Sequence, residues 1–377
     1  MLLPEHYGKS LLQRAGIPIP RGRVASSPGE AFAIASELGV AVAVKAQVLS
    51  GGRGKAGGVR FAYRPSEAAS QAEYLLSRPL LGQRVRQVLV EERLAIGREL
   101  YLSALVDPAS AGYRILLSAE GGVDVERVAR ERPERLRRHW IDPLQGLSTE
   151  DAQRLADSIG LSPSVVHDLA AVVVALYRAF VQHDLILAEV NPLMLTRSEK
   201  LVAADARLEV DDDALYRHPD LRDLRLSLLE DWERRAQEIG VSYVPLDGDV
   251  GVIASGAGLG MATLDLLSLV GLRAANFLDT GGGINAQMMR QAVELVLSPA
   301  QMRGGLINLY GGINSMVEAA DGIVEGLRAL PQRKPTVVKL VGNRQEEAWA
   351  RLEAEGVPVV RSVQTEEAVR LLAERLA

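Results

Sequence analysis

The order of apolar and polar positions changes character once along the chain. Up to residue 240, short apolar runs alternate irregularly with helical periods. LLQRAGIPIPRGRV reads as a helix ended at Gly16, then a proline-punctuated extended stretch leading to a strand at 22–24. SPGEAFAIASELG spaces its apolar residues along one helix face, between a serine at the N-cap position and a glycine stop. VAVAVKAQV, RQVLVEERL, RELYLSALVD and YRILLSAE read as strands. The span 148–183 reads as helical, with a strong apolar face in SPSVVHDLAAVVVALYRAFV. A hairpin follows, made of LILAEVNPLMLT, a polar turn at 197–200, and KLVAADARLEV.

Residues 230–248, EDWERRAQEIGVSYVPLDG, are charged and aperiodic, which predicts a domain boundary there. Beyond it strands alternate strictly with helices: DVGVIAS, MATLDLLSLVG, AANFLDT, AQMMRQAVELVLS, GGLINLY, MVEAADGIVEGLRAL, PTVVKLVG, EEAWARLEAEG, VPVVRS and TEEAVRLLAERLA. Five short apolar strands separated by amphipathic helices predict a doubly wound parallel sheet. Such sheets bind ligands in the loops at the carboxyl ends of their strands, here SGAGLG, TGGGIN, YGGINS and VGNR.

A length of 377 residues exceeds one ordinary core and predicts two or three domains. The formal net charge of −5 gives no basic footprint, so nucleic acid is not expected as a partner. With no cysteine, disulfides, thiolate metal sites and cysteine nucleophiles are all excluded. MLLPEHYGKSLLQRAG has an acid and a proline where a signal peptide would need an apolar run. No segment reads as apolar over the length of a bilayer span, so the expectation is a cytoplasmic chain with no membrane partner.

Four stretches carry candidate chemistry. In VKAQVLSGGRGKAGGVRF, glycines crowd between strand-like runs beside Lys45, Arg53 and Lys55. The spacing is not that of a Walker A loop, and the stretch reads equally as a mobile hairpin tip or as backbone folded over phosphates. In AEVNPL, Leu187, Glu189 and Asn191 share a strand face, and the hairpin turn brings Asp205 of AADAR opposite Asn191. Such oxygen ligands on adjacent strands suit magnesium, with salt bridges from Asp205 and Glu189 to arginines such as Arg207 as the alternative. SGAGLG fits two glycines of a dinucleotide fingerprint, with Met261 at the third and Asp279 as a ribose-binding acid, which keeps a nicotinamide enzyme as a rival reading. YGGINS sets two glycines before a helix beginning at Ile313, whose N–H groups would hold phosphate or carboxylate if they do more than turn the chain. The five histidines do not cluster in the sequence, and no triad or histidine metal motif can be assembled.

Taken in order, VKAQVLSGGRGKAGGV, EGGVDVE at 120–126, AEVNPL with AADAR, DDDALYRHPDL, LDGDVGVIASGAGLGMATLDLL, ANFLDTGGG and INLYGGI resemble the β subunit of succinyl-CoA synthetase (succinate–CoA ligase) over almost the whole chain. The resemblance implies an ATP-grasp domain over 1–240, with a small subdomain inserted near 20–100. A flavodoxin-like doubly wound CoA-ligase domain over 246–377 would follow. It implies a reversible, magnesium-dependent reaction of the tricarboxylic acid cycle. ATP (or GTP), CoA and succinate give ADP (or GDP), phosphate and succinyl-CoA. The phosphoryl group travels on a histidine of an α subunit that binds CoA, in an αβ or α2β2 heteromer.

The resemblance further implies that Lys45, Gly52, Arg53, Gly54, Glu91 and Glu99, with the backbone near Leu94, contact the nucleotide. It makes Asn191 and Asp205 the magnesium ligands and Glu189 the carboxylate that steadies the phosphohistidine. Ser255, Gly312, Ile313 and Asn314 would meet the acid substrate. Ser255 stands where the family has asparagine, and Asn314 stands where it has valine or threonine. Leu49 and Ser50 replace a usual His-Ala, Val341 replaces a usual acid, and LPEHYGK stands for LHEYQAK. These departures leave two alternatives open: a malate–CoA ligase, since Asn314 could bind a hydroxyl, and a non-catalytic paralogue.

Overall fold

The structure, a computed structural model, describes residues 1–122 and 125–377, so Val123 and Asp124 of EGGVDVE lie outside the described residues. The chain forms two compact units, Met1–Asp223 and Leu224–Ala377. The sequence pattern put a boundary within 230–248, and the resemblance put the domain limits at 240 and 246. The division falls earlier because a helix at 231–239 buries Ala236 and packs Trp232 and Ile239 into the core of the second unit.

In the first unit, helix α1 (Glu5–Arg14) precedes an antiparallel sheet of β1 (Gly22–Ala25), β2 (Val42–Ala46), β3 (Val59–Ala62) and β4 (Val88–Glu92), in the order β1-β4-β2-β3. Helices α2 (Pro28–Leu38) and α3 (Pro65–Leu76) cover one face. The Ser27 hydroxyl accepts from the Glu30 N–H to open α2, and Gly39, at φ 66°, closes it. Along β2, Val42, Val44 and Ala46 join the core with Ile34 and Leu75, so alternation turns Lys45 to the opposite side.

The rest of this unit is a six-stranded sheet: β5 (Ile96–Asp107), β6 (Gly112–Ser118), β7 (Leu136–Ile141), β8 (Leu185–Thr196), β9 (Leu201–Ala203) and β10 (Arg207–Val210). Strand β8 is its spine, pairing with β5 on one side and with β9 and β10 on the other. Three expectations change here. Strand β7 was not foreseen, because only its ends, Leu136 and Ile141, are buried and its charged middle shows no alternation. The helical span 148–183 is two helices, Thr149–Asp157 and α4 (Pro163–Gln182), parted where Gly160 takes φ 69°. Helix α4 is also long and apolar enough by length and composition to cross a membrane, contrary to the sequence reading. Here its Val165, Leu169, Val173, Leu176 and Phe180 are buried, and it packs on β8 and β5 as a core helix does.

The second unit opens with α5 (Asp231–Ile239) and β11 (Ser242–Pro245). It continues through β12 (Val250–Ala254), α6 (Ala257–Leu269), β13 (Asn276–Asp279), α7 (Ala286–Leu297) and β14 (Gly304–Gly311). It ends with α8 (Met316–Ala329), β15 (Thr336–Gly342), α9 (Gln345–Ala354), β16 (Val359–Val360) and α10 (Thr365–Leu376). The sheet order is β11-β13-β12-β14-β15-β16. Strand β11 is antiparallel at the edge, and the remaining five are parallel in the 2-1-3-4-5 order of a flavodoxin-like sheet. Separate apolar cores lie on its two faces, one under α7, α8 and α9, the other under α6 and α10.

Candidate functional site

Between β2 and β3 the glycine-rich residues coil into turns, closed by the Ala56 N–H on Gly52 O (3.1 Å) and the Gly58 N–H on Arg53 O (2.8 Å). Gly52 and Gly57 sit at φ 77° and 80°, where side chains are strained, which accounts for two of the glycines. The loop is therefore a folded turn. Arg53 at its start is only 8% exposed, and its guanidinium donates to Ala46 O.

Behind this loop six ionisable groups meet. Lys9 Nζ lies 3.0 Å from Glu5 and 2.6 Å from Glu91. Lys45 Nζ lies 3.0 Å from Glu5 and 2.7 Å from Glu91. Arg53 lies 2.5 Å from Glu5 and 2.6 Å from Asp205. Both lysines also donate to Ala204 O, at 2.7 and 2.6 Å. Three cations face three carboxylates, so the formal charges cancel, as burial of charge demands. Burial alone would raise the Glu5 carboxyl, but the Lys45, Lys9 and Arg53 charges outweigh it and hold the group well below the usual range. Burial works against the Lys45 ammonium, and Glu5 and Glu91 outweigh it, so the group stays charged.

The hairpin arm read as one strand is broken at 204–206, between β9 and β10. The Ala204 carbonyl serves the two lysines there, and Asp205 Oδ1 accepts from its own Ala206 N–H as well as from Arg53. Burial and then the Glu5 charge push the Asp205 carboxyl up, against the pull of Arg53. Asn191 Oδ1 accepts from the Gly122 N–H at 2.8 Å, and its amide faces Glu189 at 3.4 Å. Glu189 is raised by burial, against that amide and the Arg207 charge.

The arrangement leaves a cavity of about 570 Å³ whose lining includes Gly52, Arg53, Gly54, Glu189, Asn191 and Asp205. Six of the residues singled out in the sequence thus meet. Lys45 and Glu91 lie behind it, joined to it through Glu5 and Arg53. Leu94, just past β4, and Glu99, on β5 opposite Met194, are not in its lining. Sequence reasoning missed Glu5 and Lys9, and used Arg207 only as a salt-bridge partner. Arg207 lies in register with Glu189, lines the cavity, and forms no ion pair among the described residues. Magnesium fits the donor chemistry, because the Asn191 amide oxygen and the Asp205 carboxylate are hard oxygen donors in the cavity lining.

In the second unit the Ser255 hydroxyl donates to Tyr310 O (3.0 Å) and accepts from Tyr310 N–H (2.8 Å), tying the ends of β12 and β14. Asp279 accepts from the Gly256 and Gly281 N–H groups at 2.7 and 2.8 Å. Both bonds fall on Oδ1, so the loop backbone holds the Asp279 side chain in place, and Oδ2 makes no hydrogen bond among the described residues. Helix α8 begins at Met316, not Ile313. Gly312, Ile313 and Asn314 form a loop, and the Met316 N–H is taken by Asn343 O. Ile313 is 95% exposed. The histidines are not all isolated, since the His183 and His218 rings are 6.0 Å apart and His218 meets Asp184 at 2.7 Å. None of these three lines the cavity.

The first unit thus sets a glycine turn and strand oxygens around one cavity, and the second unit is a doubly wound sheet. The ATP-grasp domain family matches residues 2–195, and the CoA-ligase family matches 253–372. The chain is 44% identical over 360 residues to a GDP-forming succinate–CoA ligase β subunit of Thermus thermophilus, covering 95% of this chain and 94% of that protein. It is 44% identical to an ADP-forming succinate–CoA ligase β subunit of Rubrobacter xylanophilus, covering 100% and 97%. The chain belongs to the succinate–CoA ligase β-subunit family, and is an acid–CoA ligase subunit. In fold it also matches an ATP citrate lyase of Methanothrix soehngenii, at TM-score 0.77 and 18% identity over 99% of both chains.

Proposed function

We propose that this chain binds a nucleoside triphosphate in the cavity of its first unit and passes the terminal phosphoryl group to a histidine of an α partner. The phosphoryl group then passes from that histidine to a succinate carboxylate, and the thiol of CoA held by the partner attacks the acyl carbon and displaces phosphate to give succinyl-CoA. The observation that carries the reading is the gathering of Gly52, Arg53, Gly54, Glu189, Asn191 and Asp205 around one cavity. Transfer to histidine breaks the bond between the terminal phosphorus and its bridging oxygen, which leaves with the diphosphate, and forms a phosphorus–nitrogen bond. It needs positioning and charge neutralisation more than covalent help from protein groups.

Arg53 and the loop N–H groups cover the phosphates, and Lys45 adds positive potential from behind. Asn191 and Asp205 would hold magnesium, which would neutralise phosphate charge. Glu189 accepts the hydrogen bond of the incoming imidazole ring and fixes its orientation. In the second unit, the loop at Gly312, Ile313 and Asn314 receives the acid, and the exposed Ile313 gives the partner an apolar contact. A second reading, malate in place of succinate, rests on Asn314, whose amide makes no hydrogen bond among the described residues, while the Ser255 hydroxyl is occupied.

The test is discharge of the phosphohistidine in the chain purified with the α subunit encoded beside it. Phosphorylation by ATP or GTP followed by discharge with CoA and succinate supports the first reading. Discharge by malate alone supports the second. No phosphorylation by either nucleotide in a stable complex would mean a non-catalytic subunit.

A further inference from the structure

Glu5 is the one carboxylate of the buried cluster that touches all three of its cations, Lys9, Lys45 and Arg53. It sits on α1, which packs on β10 and α4, whereas Lys45 and Arg53 come from the four-stranded sheet and its loop. The same Arg53 nitrogen is shared between Glu5, at 2.5 Å, and Asp205, at 2.6 Å. Asp205 meets Arg53 and the Ala206 N–H through Oδ1 alone, which leaves Oδ2 for a metal ion. A cation on Oδ2 draws charge from the same carboxylate and weakens its pair with Arg53, and the ion pair that keeps its full strength is Glu5.

We infer that Glu5 is a positioning residue that holds Arg53 at the cavity and Lys45 behind it while Asp205 shares its charge between Arg53 and magnesium. This rests on the nucleotide reading of the cavity given above. Without the Glu5 charge, Asp205 is the one carboxylate left beside Arg53 among the described residues, so metal binding must weaken the last ion pair of a buried guanidinium. Glu5 therefore controls how strongly metal and nucleotide favour one another. Lys9 is the internal control, because it shares Glu5 and Glu91 but does not line the cavity.

The experiment is calorimetric titration of ADP into the full chain purified with its α partner, once with Mg²⁺ and once with EDTA. The quantity read is the dissociation constant in EDTA divided by that with Mg²⁺. Glu5→Gln is expected to lower that ratio about tenfold, the scale of one charge-assisted hydrogen bond. Lys9→Met is expected to lower the unfolding midpoint and leave the ratio as in the wild type. An unchanged ratio in Glu5→Gln overturns the inference, and so does an equal fall in Lys9→Met, which would mark a structural effect.

Should Glu5→Gln fail to fold, Glu5→Asp carries the test. It keeps the charge on a side chain one methylene shorter, so its ratio must also fall, and an unchanged ratio overturns the inference. If the wild-type complex binds no ADP in either condition, the nucleotide reading falls and the inference with it. Wild-type binding with unaltered coupling in the variant sinks the inference alone.

Discussion

Each unit buries lysine, and the two do so in opposite ways. In the first, Lys9 and Lys45 are 2% and 7% exposed and answered by the full charges of Glu5 and Glu91. In the second, Lys339 on β15 is 2% exposed and meets only the neutral Asn308 Oδ1, at 3.2 Å. Asn308 in turn donates to Thr263 and Thr365. Burial lowers the Lys339 ammonium, with Glu366 acting weakly the other way. The contrast separates two uses of a buried cation. Where carboxylates hold it, the charge is kept beside the cavity of the first unit. Where an amide and hydroxyls stand near it, the cation ties β15 to β14, and Asn308 carries the link on to the helix side chains.

The same substitution in both places puts the contrast at risk. Lys45→Met leaves two buried carboxylates short of a partner and should cost about 3–5 kcal/mol, read from the urea midpoint of the first transition. Nucleotide binding by calorimetry should be lost with it. Lys339→Met removes a poorly answered charge and should change stability by about 1 kcal/mol or less. A loss equal to that of Lys45→Met would end the comparison.

Lys339 also gives a pH signature. Its folded value is depressed, so the unfolded chain binds the proton more readily, and stability rises with pH from the folded value up to the unfolded one, about 10.4. The protection factors of the β14 and β15 amides in the full chain, with the intrinsic pH dependence of exchange divided out, should rise over that window in the wild type and lose the trend in Lys339→Met. The smallest effect belongs to Ser255→Ala. It removes two neutral hydrogen bonds at a half-exposed loop and should cost about 1 kcal/mol by thermal unfolding, with the discharge assay nearly unaffected.

The second unit was largely legible because its strands are continuous apolar runs buried on both faces, such as 250–254 and 336–342, with helices of clear period between them. Glycines marked its loop ends. The register of loop and helix at 311–316 was not legible, since Ile313 looks like the first apolar residue of α8 and is instead almost fully exposed. In the first unit, the strand pair that brings Glu189, Asn191 and Asp205 together followed from alternation and a polar turn. The buried cluster did not. Glu5 and Lys9 are spaced as an ordinary surface pair one helix turn apart, and what buries them comes from Lys45 and Glu91, 40 and 82 positions away. No local pattern encodes such a meeting.

Strand β11 lies in the stretch that reads as a linker, yet all four of its residues pair with β13, from Ser242 against Asp279 to Pro245 against Asn276. Without it, the outer flank of β13 would present a bare row of backbone donors and acceptors, the kind of rim along which separate chains stick together. Its antiparallel course, with Pro245 near the end, offers a poor template for a further strand. A few residues of apparent spacer thus act as a guard against aggregation, and any cut meant to free the second unit belongs before them.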